Sequence, residues 1–494
     1  MRKTLSRFTT WLSDWRRFTA LLVLVFILRG LFVLSVFPPF EGWDEYQHIA
    51  YVEYYLEKGE APVLHKSEVP KSLYPDLVRY PHCQSAVDQI RRVGALTYEQ
   101  FWNAETPPTV LPNAPAIPLY QAQHASLYYR CVAPLYAGLK STGGFLAAIT
   151  GLRLLNLLFG AAAVGVALWA LGRIMKPGAG RYIAGLLVAT QPLFLMNCTR
   201  VANDALAVLF GTIVVALILL PVKRPSTMAT LVVGIALGLG TLAKTITLGL
   251  APFVLFVLVY AVWKKDASVR QVVTRAAICF GVATAITFSY FSSNLREFGM
   301  LSPMQEAVKN RTAGRGASDL VRAATEIDWF RLLQSRYLRH SLWSSGWSLH
   351  PPGWRLLGID RLLLKSHEYL IWTAVAGGLF LLSRKRREAA RLFEKPGTSL
   401  KIVLLWAGVT AALSFHALHT HLALPNVATN SWYAAVIFPW MLALLVQGLA
   451  GFPRREIFHA AGGLLLLVFV TTETYGVMGD MVRTFTGESW GAVA

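Results

Sequence analysis

The chain has 494 residues, of which 54% are hydrophobic and only 15% are charged, and its formal net charge is +20 at pH 7. This apolar composition excludes an ordinary soluble protein and indicates a polytopic membrane protein. The positive charge falls largely in short loops and no nucleic-acid-binding module is visible, so nucleic acid is excluded as a partner.

Eleven apolar runs are long enough to cross a bilayer, and they predict an all-α protein with about eleven transmembrane helices. In chain order the predicted spans are 18–36, 152–173, 180–197, 202–220, 227–243, 246–263, 273–292, 368–383, 401–418, 431–450 and 457–475. An odd number of crossings places the two termini on opposite sides of the membrane.

Basic residues mark alternate short loops, which is typical of the cytoplasmic side. They occur in the N-terminal tail and in 173–181, 223–224, 264–275, 384–395 and 454–455. We therefore predict a plasma-membrane protein, of bacterial inner-membrane type, with a cytoplasmic N-terminus behind an uncleaved signal anchor. The predicted regions are a tail with the first span (1–36), a first exported loop (37–151), spans two to seven (152–292), a second exported loop (293–367), and the last four spans with an exported C-terminus (368–494).

An acidic motif follows the first span, where residues 41–48 read EGWDEYQH. If a helix begins near Pro39, then Glu41, Asp44, Glu45 and His48 project from one face. Carboxylates this close raise one another's pKa at a low-dielectric boundary, as catalytic bases require. The alternative is an acidic first turn that complements the helix dipole.

The rest of the first exported loop is rich in proline and aromatic residues. A short helix is predicted over 97–103, before an irregular proline-rich stretch. The stretch 124–139 is predicted to lie along the membrane interface, because a crossing there would break the alternation of basic loops. Its region contains Tyr120, Tyr128, Tyr129 and Tyr136. Cys83 and Cys131 fall in the same loop, where a disulfide is permitted but not required.

Three ionisable residues lie at the predicted exported ends of spans. Asn203-Asp204 opens the fourth span, where it suits a helix cap, an exported cavity or both. Lys244 interrupts an apolar run at the end of the fifth span, and a cation there needs an anion or a path to water. It is predicted either to reach the interface or to bind a lipid phosphate. Arg29 in the first span allows the same two interpretations.

The second exported loop is net basic, which suits phosphate or anionic lipid as well as an ordinary solvated surface. Within it, Arg339, His340 and Trp343 form an aromatic and basic cluster. That cluster fits contact with a headgroup and a sugar, and it equally fits an interfacial aromatic belt.

Three histidines crowd the predicted exported end of the ninth span, namely His416, His419 and His421. Their spacing does not define a metal site, and polar packing at the interface is the alternative.

Several short motifs follow one another along the chain in a characteristic order. They are Arg29, residues 42–48, 124–129, 201–206, 238–244 and 341–347. This order resembles the GT-C superfamily of polyprenyl-phosphate-sugar-dependent glycosyltransferases, including protein O-mannosyltransferases and the aminoarabinose and galacturonosyl transferases of lipid A. The similarity is strongest to a large uncharacterised bacterial membrane family. The chain departs from the pattern at Trp43, at Ala125-Ser126, and before Tyr433, where an expected arginine is missing and His416, His419 or His421 could replace it.

The resemblance implies roles for the acidic residues. Asp44 corresponds to the first-loop catalytic acid, Glu45 to its partner, and Asp204 to an acidic position in the next exported loop. Where such families use a divalent cation, acids of these two loops share it. The resemblance therefore leaves Mg²⁺ or Mn²⁺ open, and nothing in the sequence requires either.

The chemistry of this reaction can be stated from first principles. Moving a sugar from a polyprenyl phosphate to an acceptor hydroxyl needs one base, and it needs cations around the departing phosphate. We predict an inverting hexosyl- or pentosyltransferase with Asp44 as base and Glu45 in reserve, whose acceptor is a lipid, a glycan or a protein. The predicted substrate-binding residues are His48, His124, Asp204, Lys244, Arg339, His340, Trp343, His416 and His419.

Two other functional classes are alternatives to a glycosyltransferase. A transporter or lipid flippase would place polar residues near the bilayer midplane and would show internal repeats, neither of which the sequence has. A ligase or polymerase of polyprenyl-diphosphate-linked glycans would share the basic exported loop, but it would not depend on Asp44 and Glu45.

Overall fold

The computed structural model describes residues 13–42, 44–82, 84–220, 226–329, 332, 372–379, 391–395, 397–424, 431–452 and 454–474. Five residues discussed above lie outside these ranges, namely Trp43, Cys83, Arg339, His340 and Trp343. Regular structure in the described ranges is helical, with three isolated β-bridges. The all-α prediction is confirmed.

The helices named in this article are numbered in chain order. They are α1 (Trp15–Val36), α2 (Glu45–Lys58), α3 (Tyr74–Arg79), α4 (Gln84–Ile90), α5 (Tyr98–Trp102), α6 (Leu127–Ile174), α7 (Ala179–Thr190), α8 (Pro192–Cys198), α9 (Asp204–Leu219), α10 (Thr227–Ala243), α11 (Ala251–Trp263), α12 (Val269–Phe298), α13 (Gln305–Thr312), α14 (Ala317–Glu326), α15 (Thr398–Ala423), α16 (Phe438–Leu449) and α17 (Arg455–Thr474). Short 3₁₀ helices cover Lys71–Leu73, Arg91–Val93, Tyr120–Gln123, Thr245–Leu250 and Ser431–Ile437.

The predicted spans coincide with these helices, apart from 368–383, of which only 372–379 is described. Five helices of the described chain are long and apolar enough to cross a membrane, and α7 with α8 adds a sixth if that pair, bent by 43°, is one span. The remaining predicted spans match shorter apolar helices. The protein is an integral membrane protein, and the count of eleven crossings stays a prediction.

Helix α6 contains two segments that were predicted as separate elements, the interfacial stretch and the second span. It continues for 48 residues through a break at Gly144, whose φ of 75° is accessible to glycine without steric cost. Its second part contains the predicted span 152–173, and its first part contains most of the stretch expected at the interface. Tyr128, Tyr129 and Tyr136 there are at most 1% exposed. Their predicted interfacial role is wrong, because they pack inside the protein.

Two apolar cores hold the fold together. The larger lies among α1, α6 to α12 and α15 to α17, and the smaller lies where the first loop packs on α2 and the first part of α6. Short helix α5 is capped by Thr97, whose side chain and that of Gln100 form a capping box, so the helix predicted over 97–103 is confirmed. The region 37–151, predicted as the first exported loop, is a packed unit and not an open connection.

Candidate functional site

The acidic motif is divided by the start of α2. The helix begins at Glu45, and Asp44 before it adopts the left-handed conformation with φ 58° and ψ 11°. The expected helix from Pro39 is therefore wrong, and Glu41 lies ahead of the helix instead of on its face. Asp44 makes no capping hydrogen bond with its side chain, so its carboxylate is directed elsewhere.

The Asp44 carboxylate is half-buried and is held by residues of the Tyr120–Gln123 segment. Tyr120 Oη donates a hydrogen bond to Asp44 Oδ1, and Gln121 Nε2 lies 3.5 Å from Oδ2. Burial and the nearby Asp44 carboxylate raise the pKa of Tyr120 well above its usual value. Tyr120 therefore remains a proton donor, and Asp44 keeps lone pairs that can receive a further proton.

Glu45 has a different environment, although it is the next residue. Arg153 donates to both of its oxygens, from Nε at 2.8 Å and from Nη2 at 2.5 Å, and the Val201 amide donates to Oε1 at 2.7 Å. Arg153 also donates to the carbonyl oxygens of Phe37 and Pro38. Both oxygens of Glu45 are thus occupied inside the protein. Glu45 was predicted to be the second catalytic carboxylate, but its hydrogen bonds connect α2 to α6 and to the segment before α9.

A buried ionic cluster lies at the start of α9. Asp204 accepts a hydrogen bond from Arg200 Nη2 at 2.8 Å and another from Lys244 Nζ at 2.6 Å. Arg200, Asp204 and Lys244 are 2%, 3% and 6% exposed. The predicted reach of Lys244 to the interface is therefore wrong. Two cations share one carboxylate, so these three residues carry one positive charge in excess.

Asparagines hold the backbone around this cluster. Asn156 Nδ2 on α6 donates to the carbonyl oxygens of Arg200 and Ala202, at 2.6 and 3.1 Å. Asn203 Nδ2 donates to the Ala243 carbonyl oxygen at 2.8 Å, which joins the start of α9 to the end of α10. Neither Asn203 nor Asp204 caps α9 with its side chain, so the predicted capping role is wrong.

Asp44 and the ionic cluster are neighbours. A Cβ on Gly42 would lie 2.6 Å from Cβ of Arg200, so only glycine allows the acidic motif to approach this closely. Lys244 Nζ lies 4.8 Å above the ring of Tyr433. The structure thus brings the first loop, the start of α9 and the end of α10 together.

Two histidines predicted to bind substrate line the same region. The rings of His48 and His124 lie parallel with centroids 6.4 Å apart, and His48 Nδ1 is hydrogen-bonded to Tyr129 Oη at 2.8 Å. Burial and then Arg200 lower the pKa of His48 well below its usual value, and burial and then Lys244 lower that of His124 to about 3. Both are neutral. His124 Nδ1 is buried without a hydrogen-bond partner in the described part of the chain.

The late histidines divide into two groups. His416 packs edge-on against Tyr433, with centroids 5.5 Å apart, and so lies beside the Lys244 cluster. His419 instead accepts hydrogen bonds from Asn310 Nδ2 on α13, through its carbonyl oxygen at 2.9 Å and its Nδ1 at 3.3 Å. His421 contacts Glu326 on α14 at 3.3 Å. The three do not form one site.

Arg29 also lies away from the site. Its guanidinium donates to the carbonyl oxygens of Ala189 and Thr190 at the break between α7 and α8. Cys131 is an exposed free thiol, and its predicted partner Cys83 lies outside the described residues.

A divalent cation does not fit at Asp204 in this arrangement. Each oxygen of Asp204 already accepts from a cationic side chain, and Tyr120 occupies Oδ1 of Asp44. Within the described ranges, no three His, Cys, Asp or Glu side chains come close enough to hold a metal ion. The described arrangement therefore does not support a metal ion shared by Asp44 and Asp204.

Arg153, Arg200 and Tyr120 are site residues that the sequence interpretation missed. Arg200 and Asp204 stand four residues apart, the spacing that allows an ion pair along a helical turn, and that signal was available. Arg153 stands one residue into a predicted span, where an arginine needs a partner. The pattern has no feature that marks Tyr120 as the partner of Asp44.

The chain is similar to one protein family and to solved structures. The sequence profile of a family described as dolichyl-phosphate-mannose-protein mannosyltransferase matches residues 144–293. The match includes the ionic cluster of Arg200, Asp204 and Lys244, while Asp44 lies before it. It confirms the predicted resemblance to GT-C glycosyltransferases and supports glycosyl transfer at the membrane. No curated protein matches the sequence.

The solved structures that are similar to this chain include two of low sequence identity. The apo oligosaccharyltransferase of Archaeoglobus fulgidus has 12% identity and a TM-score of 0.45, over 95% of this chain and 55% of that protein. ArnT from Cupriavidus metallidurans, bound to undecaprenyl phosphate, has 14% identity and a TM-score of 0.34, over 88% of this chain and 77% of that protein. The chain thus spans about half the length of the oligosaccharyltransferase.

Proposed function

We propose that this chain is a membrane glycosyltransferase that moves a hexosyl or pentosyl group from a polyprenyl-phosphate donor to an acceptor hydroxyl, with inversion at the anomeric carbon. The observation that carries the proposal is the half-buried Asp44 carboxylate beside the buried, net-positive cluster of Arg200, Asp204 and Lys244. A base and an anion-binding group in one place are what this displacement needs.

The bonds change in one displacement step. The acceptor oxygen attacks the anomeric carbon while its proton passes to the free lone pairs of Asp44. The bond from the anomeric carbon to the phosphate oxygen breaks, and the phosphate leaves as an anion. Lys244 and Arg200 favour that charge because two cationic side chains pair with the single carboxylate of Asp204. Tyr120 fixes the orientation of Asp44 through the hydrogen bond to Oδ1.

The remaining polar groups suit the sugar and the phosphate. His124 is neutral, and its buried Nδ1 is available to a hydroxyl of the sugar. The ring of His48 lies parallel to that of His124 and is oriented by its hydrogen bond to Tyr129. His416 lies beside Tyr433, where a phosphate would approach. We assign Glu45 to positioning, since Arg153 and Val201 occupy its oxygens. Arg339, His340 and Trp343 remain proposed substrate contacts on the sequence pattern.

We further propose that the site faces the exported side of a bacterial plasma membrane, with the N-terminus in the cytoplasm. The basic alternate loops support this orientation. The end of α1, the start of α9 and the end of α10 would then lie on one side together, as the contacts of Asp44 and Lys244 require.

The test replaces Asp44 by asparagine, which keeps the shape and removes the base. Membranes with the full-length variant are assayed for transfer from radiolabelled polyprenyl-phosphate sugars, with Asp76→Asn as the matched control in the same loop. We expect Asp44→Asn to lose transfer by about 10²-fold or more and Asp76→Asn to retain it. Full retention by Asp44→Asn would remove the assignment, and lipid translocation without any transfer would favour a flippase.

A further inference from the structure

A cavity lies at the end of the bundle opposite the Asp44 site. Helix α9 starts at Asp204 in that site, and cavity-lining Leu217 lies thirteen residues later, about 20 Å along the helix. Helix α10 runs back, so that Thr230 near its start lines the cavity and its end adjoins Lys244. The cavity has a volume of about 370 Å³, within the usual range of about 300–1,000 Å³ for ligand sites.

The inner walls of this cavity are apolar and come from four helices. Its buried apolar lining residues are Leu219, Val233, Val254, Val257 and Cys279, and the threonines Thr230 and Thr398 are the buried polar residues of the lining. Val254 and Lys264, which both line it, are ten residues apart along α11 and its end, about 15 Å. A long apolar space of this kind suits an alkyl chain better than a polar metabolite.

The charged lining residues are more exposed than these walls and are mostly cationic. They are Lys264, Arg275, Lys395 and Lys401, with Asp266 as the single carboxylate. Within the described ranges, no carboxylate forms an ion pair with Lys395 or Lys401 at 4 Å or less. Trp263, 70% exposed, lies under Lys264 with 4.5 Å between Nζ and the ring. An exposed tryptophan beside lysines is typical of the headgroup level of a bilayer.

We propose that this cavity binds one acyl chain of an anionic membrane phospholipid, with the lipid phosphate held by Lys395, Lys401 and Arg275. The apolar walls match the chain, and the excess of cations at the rim matches the phosphate. Basic pockets between transmembrane helices bind lipid headgroups in this way. The proposal does not depend on the sugar-transfer reaction, because it uses the opposite ends of α9 and α10.

The first experiment tests the headgroup. Full-length protein is purified in detergent, stripped of lipid and titrated with phosphatidylglycerol or phosphatidylcholine, with bound lipid counted by native mass spectrometry. We expect phosphatidylglycerol to bind selectively, and Lys395→Ala and Lys401→Ala to weaken it about fivefold each. Arg270→Ala is the control, because Arg270 is an exposed cation of the same region that does not line the cavity. Equal binding of both lipids, or equal weakening by Arg270→Ala, would overturn the proposal.

The second experiment tests the acyl chain. Ala261 lines the cavity, and Ala261→Phe is expected to fill it and abolish phosphatidylglycerol binding. Inorganic phosphate at millimolar concentration should not displace the lipid. Full displacement by phosphate, or unchanged affinity in Ala261→Phe, would contradict an acyl-chain site. If Ala261→Phe does not fold, Lys401→Arg and Lys401→Met decide the headgroup contact, since the arginine variant should retain the wild-type affinity and the methionine variant should bind about fivefold more weakly.

Discussion

The guanidinium of Arg153 bonds both carboxylate oxygens of Glu45, although 108 positions separate the two residues. The pair joins the start of α2 to α6, with Arg153 4% and Glu45 0% exposed at their side chains. It fixes the backbone directly after Asp44. The two adjacent carboxylates of the acidic motif therefore have separate environments, one paired with Arg153 and one hydrogen-bonded to Tyr120.

Replacing Arg153 by methionine should destabilise the protein strongly. The change leaves the Glu45 carboxylate buried without its counter-charge, which costs about 3–5 kcal/mol. We expect a large fall in the thermal unfolding midpoint of Arg153→Met, and partial recovery in the double variant with Glu45→Gln. Lys66→Met is the control, because the ion pair of Lys66 with Glu297 is exposed and should contribute little. An unchanged midpoint in Arg153→Met would show that the pair is not needed.

The ionic cluster predicts an asymmetry between its members. Asp204→Asn removes the carboxylate that Arg200 and Lys244 share, whereas Lys244→Met keeps the buried pair of Arg200 with Asp204. Asp204→Asn should therefore lower the unfolding midpoint more than Lys244→Met, and adding Lys244→Met to Asp204→Asn should restore part of it. The reverse order of the single variants would contradict this account of the cluster.

Tyr120→Phe should impair transfer without unfolding the loop. The substitution removes a single hydroxyl group, which is the hydrogen-bond donor to Asp44 Oδ1. A hydrogen bond to a charged group contributes about 1.5–3 kcal/mol, so kcat should fall about 10- to 100-fold with KM for the donor little changed. Tyr74→Phe is the matched control, because the Tyr74 hydroxyl donates only to the Pro115 carbonyl oxygen. Equal losses in both variants would indicate a general loosening of the loop.

The helices could be predicted from the sequence, because each apolar run is set by bilayer thickness and needs no knowledge of its neighbours. The site was predicted in part. Asp44, His48, His124, Asp204 and Lys244 do come together, since they flank spans whose ends lie on one side. The partnership of Glu45 with Arg153, and of Asp44 with Tyr120, depends on packing across more than 70 residues. Local periodicity carries no information about contacts of that kind.

The tyrosines of α6 illustrate the same limit. An aromatic, amphipathic stretch beside a membrane has the same composition whether it faces headgroups or protein. Tyr136 is buried because its hydroxyl donates to Glu53 Oε1 at 2.5 Å, beside Lys140. The partner that decides the environment lies 83 residues earlier in the chain.

Gly42→Ala should damage both stability and activity. Its added methyl group would lie 2.6 Å from Cβ of Arg200, and overpacking of this kind costs about 1–3 kcal/mol. Gly138→Ala provides the contrast, since Gly138 lies in α6 with open space around it and alanine is the better helix former. We expect a lower unfolding midpoint and reduced transfer for Gly42→Ala, and an unchanged or higher midpoint for Gly138→Ala. Wild-type stability and activity of Gly42→Ala would contradict the close approach of Gly42 to Arg200.

Acid should destabilise the packed region that follows α1 through His82. Burial lowers the pKa of His82 to about 4, whereas an unfolded histidine titrates near 6.5. Between these values the unfolded chain binds a proton that the folded loop does not, so stability falls as the pH drops from about 6.5 to 4, by about 1.4 kcal/mol per pH unit.

The check is the unfolding midpoint as a function of pH. His82→Gln should flatten the acid side of the profile by the contribution of one proton. His65→Asn, at an exposed histidine of the same loop, should leave the slope as it is. An unchanged slope in His82→Gln would exclude His82 as the origin.

The left-handed backbone at Asp44 restricts what can replace it. Aspartate and asparagine are enriched in this conformation, whereas longer and β-branched side chains are disfavoured there. Asp44→Glu, which preserves the charge, is therefore expected to disturb the turn more than Asp44→Asn, which removes it. Conformation and reactivity select the same residue at this position, so the usual conservative exchange between acids is the disruptive one.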